Sequence, residues 1–277
     1  MNLAAPEPAP APALPAWPYP RWIAHRGAGK LAPENTLAAF RLGAGYGYRM
    51  FECDAKLSAD GIPFLLHDAE LTRTTNALQR LHASGGAGEA SDVGGDHDWQ
   101  QLSQLDAGSW HSPAYAGEPL PTLEALARFC LANGYLLNIE IKPTPGTGWH
   151  TGEVVAQHAA RLWRGQAVPP LLTSFDSSAL QAAAQAQPQL PRGLLLDDLE
   201  GKAFAHWLAQ AHQLQCAALV LNHLLWDKTT VSQTHAAGLR TLCYTVNQAS
   251  QAKRLLALGV DGIITDRVDS FQAGGEE

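Results

Sequence analysis

Eight short runs of apolar or alternating residues recur along this chain of 277 residues, and patterns of helical period fall between most of them. The runs begin at Trp22, Phe51, Leu136, Leu171, Gly193, Ala218, Thr241 and Gly262. Neighbouring parallel strands need a long crossover, usually a helix, so this alternation predicts a parallel sheet. Eight strands in about 250 residues predict an α/β fold of the closed (β/α)8 TIM-type barrel kind. An open, doubly wound sheet is the alternative architecture. Helices are expected over Thr36–Tyr48, with Asn35 as N-cap, and over Leu123–Ala132, with Thr122 as N-cap. Further helices are expected over Ala179–Gln187, Ala203–Gln215, Thr229–Ala237 and Ala249–Leu258.

Residues 21–270 read as one barrel domain. The first twenty residues contain seven prolines and no basic start or unbroken apolar run, so residues 1–20 are expected to form a disordered arm. Residues 271–277 read as a tail. Residues 68–120 break the strand–helix rhythm, being rich in Gly, Ser, Asp and His. So long an irregular connection is usually functional, and it is expected to be an insertion over the barrel mouth after the second-strand hairpin. A net charge of −7 argues against a nucleic-acid or anionic-membrane partner. No apolar stretch reaches the roughly eighteen residues of a membrane span, so no membrane anchor is expected. Cys53, Cys130, Cys216 and Cys243 lie scattered in apolar contexts, which favours buried reduced thiols and a cytoplasmic location.

The chemistry concentrates between Glu52 and Asp68. Asp60-Gly61 is a hairpin signal between β-prone runs. With those two residues as the loop, Asp54 should lie directly opposite His67. Strand alternation puts Glu52, Asp54 and Lys56 on one face, and Cys53, Ala55 and Leu57 on the other. In the third strand Asn138, Glu140 and Lys142 share a face in the same way. Other strand ends carry His25-Arg26-Gly27, Ser174-Phe175, Asn222, Tyr244 and Asp266. Carboxylates pointing into a barrel are costly unless paired or metal-bound. Glu52, Asp54 and Glu140 could supply three oxygen ligands to one divalent cation, Mg²⁺ or Ca²⁺. Pairing with Arg26, Lys56 and Lys142 as a structural ion network is the other reading. His25 and His67 are the candidates for acid–base work at neutral pH. Arg26 and Lys142 are the candidates for binding an anion.

The same residues resemble a known family. His25-Arg26-Gly27, Pro33-Glu34-Asn35-Thr36, Glu52-x-Asp54, His67-Asp68 and Glu140-Ile141-Lys142 look like the signature of glycerophosphodiester phosphodiesterases, closest to the cytosolic bacterial enzyme. Leu71–Asn76, Leu105–Trp110, Tyr244–Asn247 and Gly259–Asp266 continue it in family order over roughly residues 21–266. The resemblance implies a (β/α)8 barrel, a divalent metal held by Glu52, Asp54 and Glu140, and a catalytic pair in His25 and His67. It implies a glycerophosphodiester substrate, such as glycerophosphocholine or glycerophosphoethanolamine, cleaved to sn-glycerol 3-phosphate and an alcohol. Arg26 and Lys142 would hold the phosphate, and Phe175 and Tyr244 would line the substrate site. Tyr244 stands where many family members have tryptophan. His25 would act as base and His67 as acid, although the two roles could be exchanged. Water or the glycerol 2-hydroxyl could serve as nucleophile. A non-catalytic sensor, a lipid phosphodiesterase and a metal-dependent aldolase are the competing readings; the sensor would be expected to lack one of the two histidines or one of the three carboxylates, and all five are in place.

Overall fold

The computed structural model describes residue 14, residues 16–81 and residues 91–271. Among these, eight strands run parallel and close on themselves. They are β1 (Trp22–Ala24), β2 (Met50–Leu57), β4 (Leu136–Ile141), β5 (Leu171–Ser174), β6 (Arg192–Leu196), β7 (Ala218–Asn222), β8 (Arg240–Tyr244) and β9 (Gly262–Thr265). Each pairs with the next, and β1 pairs with both β9 and β2, completing the ring. The remaining strand, β3 (Pro63–Leu65), folds back antiparallel to β2. The closed barrel is therefore realised, and every expected strand start lies within one residue of the observed one.

Burial follows strand alternation. Ile23, Met50, Leu171, Leu195, Val220, Leu242 and Ile264 fill the barrel interior. Cys53, Ala55, Ile139, Leu172, Leu194 and Leu219 point outward into the larger core beneath the helices. At about 25 cal/mol per Å² of buried apolar surface, these layers supply the main drive for folding. All four cysteines are buried and unpaired with one another. No helix of the described residues is long and apolar enough to cross a membrane.

The outer helices are α1 (Leu37–Gly45), α4 (Leu123–Asn133), α5 (Gly148–Leu162), α6 (Ser177–Ala186), α7 (Phe204–Gln213), α8 (Lys228–Ala236) and α9 (Ala249–Leu258). Thr36, not Asn35, caps α1, its hydroxyl accepting from the Ala39 N–H. The sequence pattern misses α5, because Gly148, Gly152, Thr151 and two valines weaken its helical signal. Those glycines serve packing: a Cβ at Gly152 would stand 2.1 Å from the Ala179 carbonyl oxygen of α6.

The described part of the insertion carries secondary structure and a small core. Two short helices, α2 (Ala77–Leu81) and α3 (Trp99–Leu102), gather Leu71, Leu102, Leu105 and Leu120 around Phe64 and Leu66 in a small core of their own. It reaches the loop between β1 and α1, where Arg73 meets Glu34, and the first turn of α1, where Glu118 accepts from the Ala38 N–H. Residues 16–20, expected within the arm, are described and pack on the barrel. Tyr19 is buried against the interior cluster and its hydroxyl donates to the Pro169 carbonyl at 2.9 Å. Two aromatic rings at Trp17 and Tyr19 offer more apolar surface than a solvated proline-rich arm would leave in water. Residues 1–13, 15, 82–90 and 272–277 lie outside the described residues.

Candidate active site

The hairpin is shifted by one residue from the expected register. Ala55 faces Leu65 and Lys56 faces Phe64, and the Leu66 N–H donates to the Asp54 carbonyl. The turn signal is genuine, but the loop has three residues, Ala59-Asp60-Gly61, with Gly61 at φ +80°. The Ser58 N–H donates to the Ile62 carbonyl and closes it. This is the turn-plus-bulge alternative to a two-residue loop. Asp54 therefore lies opposite Leu66, not opposite His67. His67 sits past the end of β3, where the chain is free of strand alternation and the ring turns back to the barrel mouth.

The face assignment itself holds. Glu52, Asp54 and Glu140 are buried inside the barrel, with one oxygen of each within 4.8 Å of the others. Glu52 Oε1 and Asp54 Oδ1 are buried without a hydrogen-bond partner. Such orphaned carboxyl oxygens are costly, and a hard cation is the group that would satisfy them. Burial, then the charge of Asp54, pushes the Glu52 carboxyl up to about 8. Burial would also raise Asp54, but Arg26, Lys142 and His67 outweigh it and hold that carboxyl at about 2. Three carboxylates so close do not all ionise unaided, which again fits a bound divalent ion.

The ion-network reading is met only in part. Arg26 Nε stands 3.3 Å from Asp54, and Lys142 Nζ stands 2.8 Å from Glu140 and 3.8 Å from Asp54. Among the described residues Lys56 pairs with no carboxylate in this way; its ammonium donates to the Lys142 carbonyl at 2.9 Å. Asn35 brackets Asp54, donating to its side chain at 2.7 Å and accepting from its backbone N–H. Asn35 takes this place with φ +60°, a conformation asparagine tolerates better than most residues. Gly27, at φ +97°, lets the loop pass so close to α1 that a Cβ would meet Ala39 at 2.8 Å.

Each candidate histidine is held by a carboxylate. His25 Nδ1 is 2.6 Å from Asp266, and its Nε2 faces Glu52 at 3.9 Å. Asp266 is in turn held by the Asn247 amide at 2.8 Å. His67 Nδ1 is 2.6 Å from Asp68, which Arg73 binds while also spanning Glu34. Glu34 accepts from Arg26 at 2.9 Å, so the chain of pairs returns to the phosphate-binding candidate. Burial would lower His25, but the bond to Asp266 and the charge of Glu52 outweigh it, so its basicity is raised. Burial, helped by Arg26 and Lys142, lowers His67 despite Asp54 and Asp68.

Phe175 and Tyr244 complete the mouth on the opposite side. Their rings meet edge to face with centroids 5.8 Å apart, and Lys142 Nζ lies 5.4 Å from the Phe175 centroid. All nine sequence-derived candidates thus gather at the carboxyl ends of the strands. The supporting groups Asn35, Asp68, Arg73 and Asn247 were not among the expected site residues. Asp68 and Asn35 were visible only as neighbours in motif positions, and the role of Arg73 depends on the path of the insertion.

The glycerophosphoryl diester phosphodiesterase family model matches residues 25–270. The protein YhdW of Bacillus subtilis (strain 168) is 31% identical over 92% of this chain and 97% of its own length. An Oleispira antarctica phosphodiesterase, solved in complex with the product sn-glycerol-3-phosphate, is 33% identical, with a TM-score of 0.78 over 92% of this chain and 96% of that one. The glycerophosphodiester phosphodiesterase structure from Agrobacterium tumefaciens str. C58 is 26% identical, with a TM-score of 0.73 over 92% of this chain and 100% of that one.

Proposed function

This chain belongs to the glycerophosphoryl diester phosphodiesterase family and is an enzyme of that class, and from that premise we propose which diesters it cleaves and how. The reaction is hydrolysis of small glycerophosphodiesters, such as glycerophosphocholine and glycerophosphoethanolamine, to sn-glycerol 3-phosphate and the free alcohol. One observation carries the reading: three buried carboxylates converge within 4.8 Å between two histidines, each fixed by its own aspartate. The product held by the Oleispira antarctica relative supports the same substrate class.

Glu52, Asp54 and Glu140 would hold the divalent ion, Mg²⁺ or Ca²⁺. When bound there, it would polarise the phosphoryl group and neutralise charge that grows in the transition state. Arg26, held in place by Asp54 and Glu34, binds a phosphate oxygen through its guanidinium. Lys142 adds a second positive charge from the neighbouring strand. His67 is the better base. A lysine ammonium can only donate, so the 2.9 Å contact from Lys142 makes His67 Nε2 an acceptor, with the proton on Nδ1 facing Asp68. This exchanges the roles expected from sequence. A hydroxyl takes the place of the lysine ammonium, gives its proton to Nε2, and forms the new bond to phosphorus. As the bond from phosphorus to the alcohol oxygen breaks, His25, held by Asp266, returns a proton to that oxygen. The hydroxyl belongs either to water or to glycerol C2. On the second route the glycerol cyclic phosphate that forms is opened by water, His25 taking the water's proton and His67 returning one to the C2 oxygen as its bond to phosphorus breaks.

The test is release of glycerol 3-phosphate from glycerophosphocholine and glycerophosphoethanolamine with Mg²⁺, with Ca²⁺ and after chelation. Metal-dependent release that disappears in His25→Ala and His67→Ala is expected. No release from either diester by folded protein under any of these conditions overturns the substrate assignment.

A further inference from the structure

The half of the mouth away from the carboxylate cluster is built from strand positions that continue the interior face of β5 to β8. Leu171, Leu195, Val220 and Leu242 point inward, and alternation carries that face to Phe175, Asp197, Asn222 and Tyr244. Their contacts agree. Asn222 Nδ2 donates to Asp197 Oδ1 at 3.0 Å, and the Tyr244 hydroxyl approaches the same oxygen at 3.5 Å. Phe175, whose ring meets that of Tyr244 edge to face, borders the same cavity as Asp197.

Asp197 and its neighbour Asp198, which line one cavity, differ in one respect from the carboxylates nearer the histidines. Glu34, Asp54, Asp68 and Glu140 each have an arginine or lysine within 4.0 Å, and Asp266 has His25. Asp197 receives only neutral donors, and among the described residues no ion pair reaches it. Phe175 and Asp197 also border a cavity of about 320 Å³ that runs outward to Lys202 and Trp207. There the Lys202 ammonium already sits 4.6 Å from the Trp207 ring centroid while paired with Glu200. An unneutralised carboxylate beside two aromatic rings, with open volume behind it, is the combination that receives an organic ammonium.

We propose that Asp197, with Phe175 and Tyr244, forms a subsite for the head group of the diester and selects cationic alcohols of the choline and ethanolamine type over neutral ones. This rests on the proposed function for the reaction that the subsite serves. Asp197 is a specificity residue, and its charge acts on the ammonium while the phosphate stays at the carboxylate cluster.

The readout is the ratio of kcat/KM for glycerophosphocholine to that for glycerophosphoglycerol, whose head group is neutral, measured on the full chain with saturating Mg²⁺ or Ca²⁺. Asp197→Asn is expected to lower that ratio by about three- to tenfold, the size of an exposed cation contact. Asp197→Glu keeps most of the ratio, and Asp197→Lys lowers it at least as far as Asp197→Asn. A ratio unmoved by Asp197→Asn in folded protein overturns the proposal. Binding of the same two diesters to His67→Ala protein, by calorimetry with and without Asp197→Asn, separates the two readings. Asp197-dependent preference in binding, with no hydrolysis of any diester by the unsubstituted protein, overturns the reaction and supports the subsite. Normal hydrolysis with both ratios unmoved overturns the subsite alone.

Discussion

Lys142 Nζ stands 2.9 Å from His67 Nε2 and 2.8 Å from Glu140 Oε1, so one ammonium joins a candidate base to a candidate metal ligand. The contact fixes the state of the ring. Three donors and no acceptor on the lysine leave the imidazole lone pair at Nε2 and its proton at Nδ1, against Asp68. Asp68 is held well below the usual carboxylate range, at about 2, chiefly by Arg73 and then by His67. It stays ionised and keeps the tautomer in place through the neutral range.

Removing that base tests its role. His67→Ala is expected to lower kcat for glycerophosphocholine by about 10²–10⁴-fold, the usual size of general acid–base catalysis. Steady-state release of glycerol 3-phosphate measures it, with circular dichroism to establish folding. Turnover within a few fold of the unsubstituted protein would remove His67 from the mechanism.

His25 is expected to answer to the leaving group. A choline alkoxide needs a proton as it departs, whereas p-nitrophenolate departs without one. His25→Ala should therefore lose about 10²-fold or more on glycerophosphocholine and far less on the p-nitrophenyl diester. His67→Ala should lose comparably on both. The reverse pattern would restore the sequence-based assignment, with His25 as base.

The large features of this fold are legible in the chain because each is written in a local period. Strand alternation alone places Glu52, Asp54 and Glu140 inside the barrel. What escapes is set by contacts between distant segments. A dipeptide signal at Asp60-Gly61 cannot separate a two-residue loop from a three-residue one, and that difference moves Asp54 from opposite His67 to opposite Leu66. Asn35 reads as a helix cap because asparagine often is one, yet its amide is taken by Asp54 and Thr36 caps in its place. The Arg73 bridge between Glu34 and Asp68 spans residues that only the folded insertion brings together.

Gly152 tests the close crossing of α5 and α6. An alanine in mid-helix would normally stabilise by about 1 kcal/mol. Here the added methyl would meet the Ala179 carbonyl oxygen at 2.1 Å, and a backbone atom within a packed helix cannot yield cheaply. Overpacking of this kind costs about 1–3 kcal/mol, so Gly152→Ala should lower Tm by several degrees, at roughly 2–4 °C per kcal/mol. An unchanged or raised melting temperature by scanning calorimetry would show that the two helices separate freely.

The carboxylate cluster ties cation uptake to pH. Without a cation, burial and Asp54 push Glu52 up to about 8, so at pH 7 it retains its proton, whereas in the unfolded chain it is ionised. A folded pKa above the unfolded value means that the contribution of Glu52 to stability is present below about pH 4.5 and is lost as pH rises through about 8. Cation binding reverses this, because the ion needs the ionised carboxylate and expels the proton. The apparent Mg²⁺ or Ca²⁺ association constant should thus rise by about tenfold per pH unit from pH 6 towards 8 for each proton displaced, then level off. Titration calorimetry in buffers of different ionisation enthalpy counts that proton directly. Glu52→Gln should weaken cation binding, flatten its pH dependence below 8 and recover part of its activity in excess metal. A binding constant independent of pH in the unsubstituted protein, or an affinity untouched by Glu52→Gln, would move the cation away from this cluster.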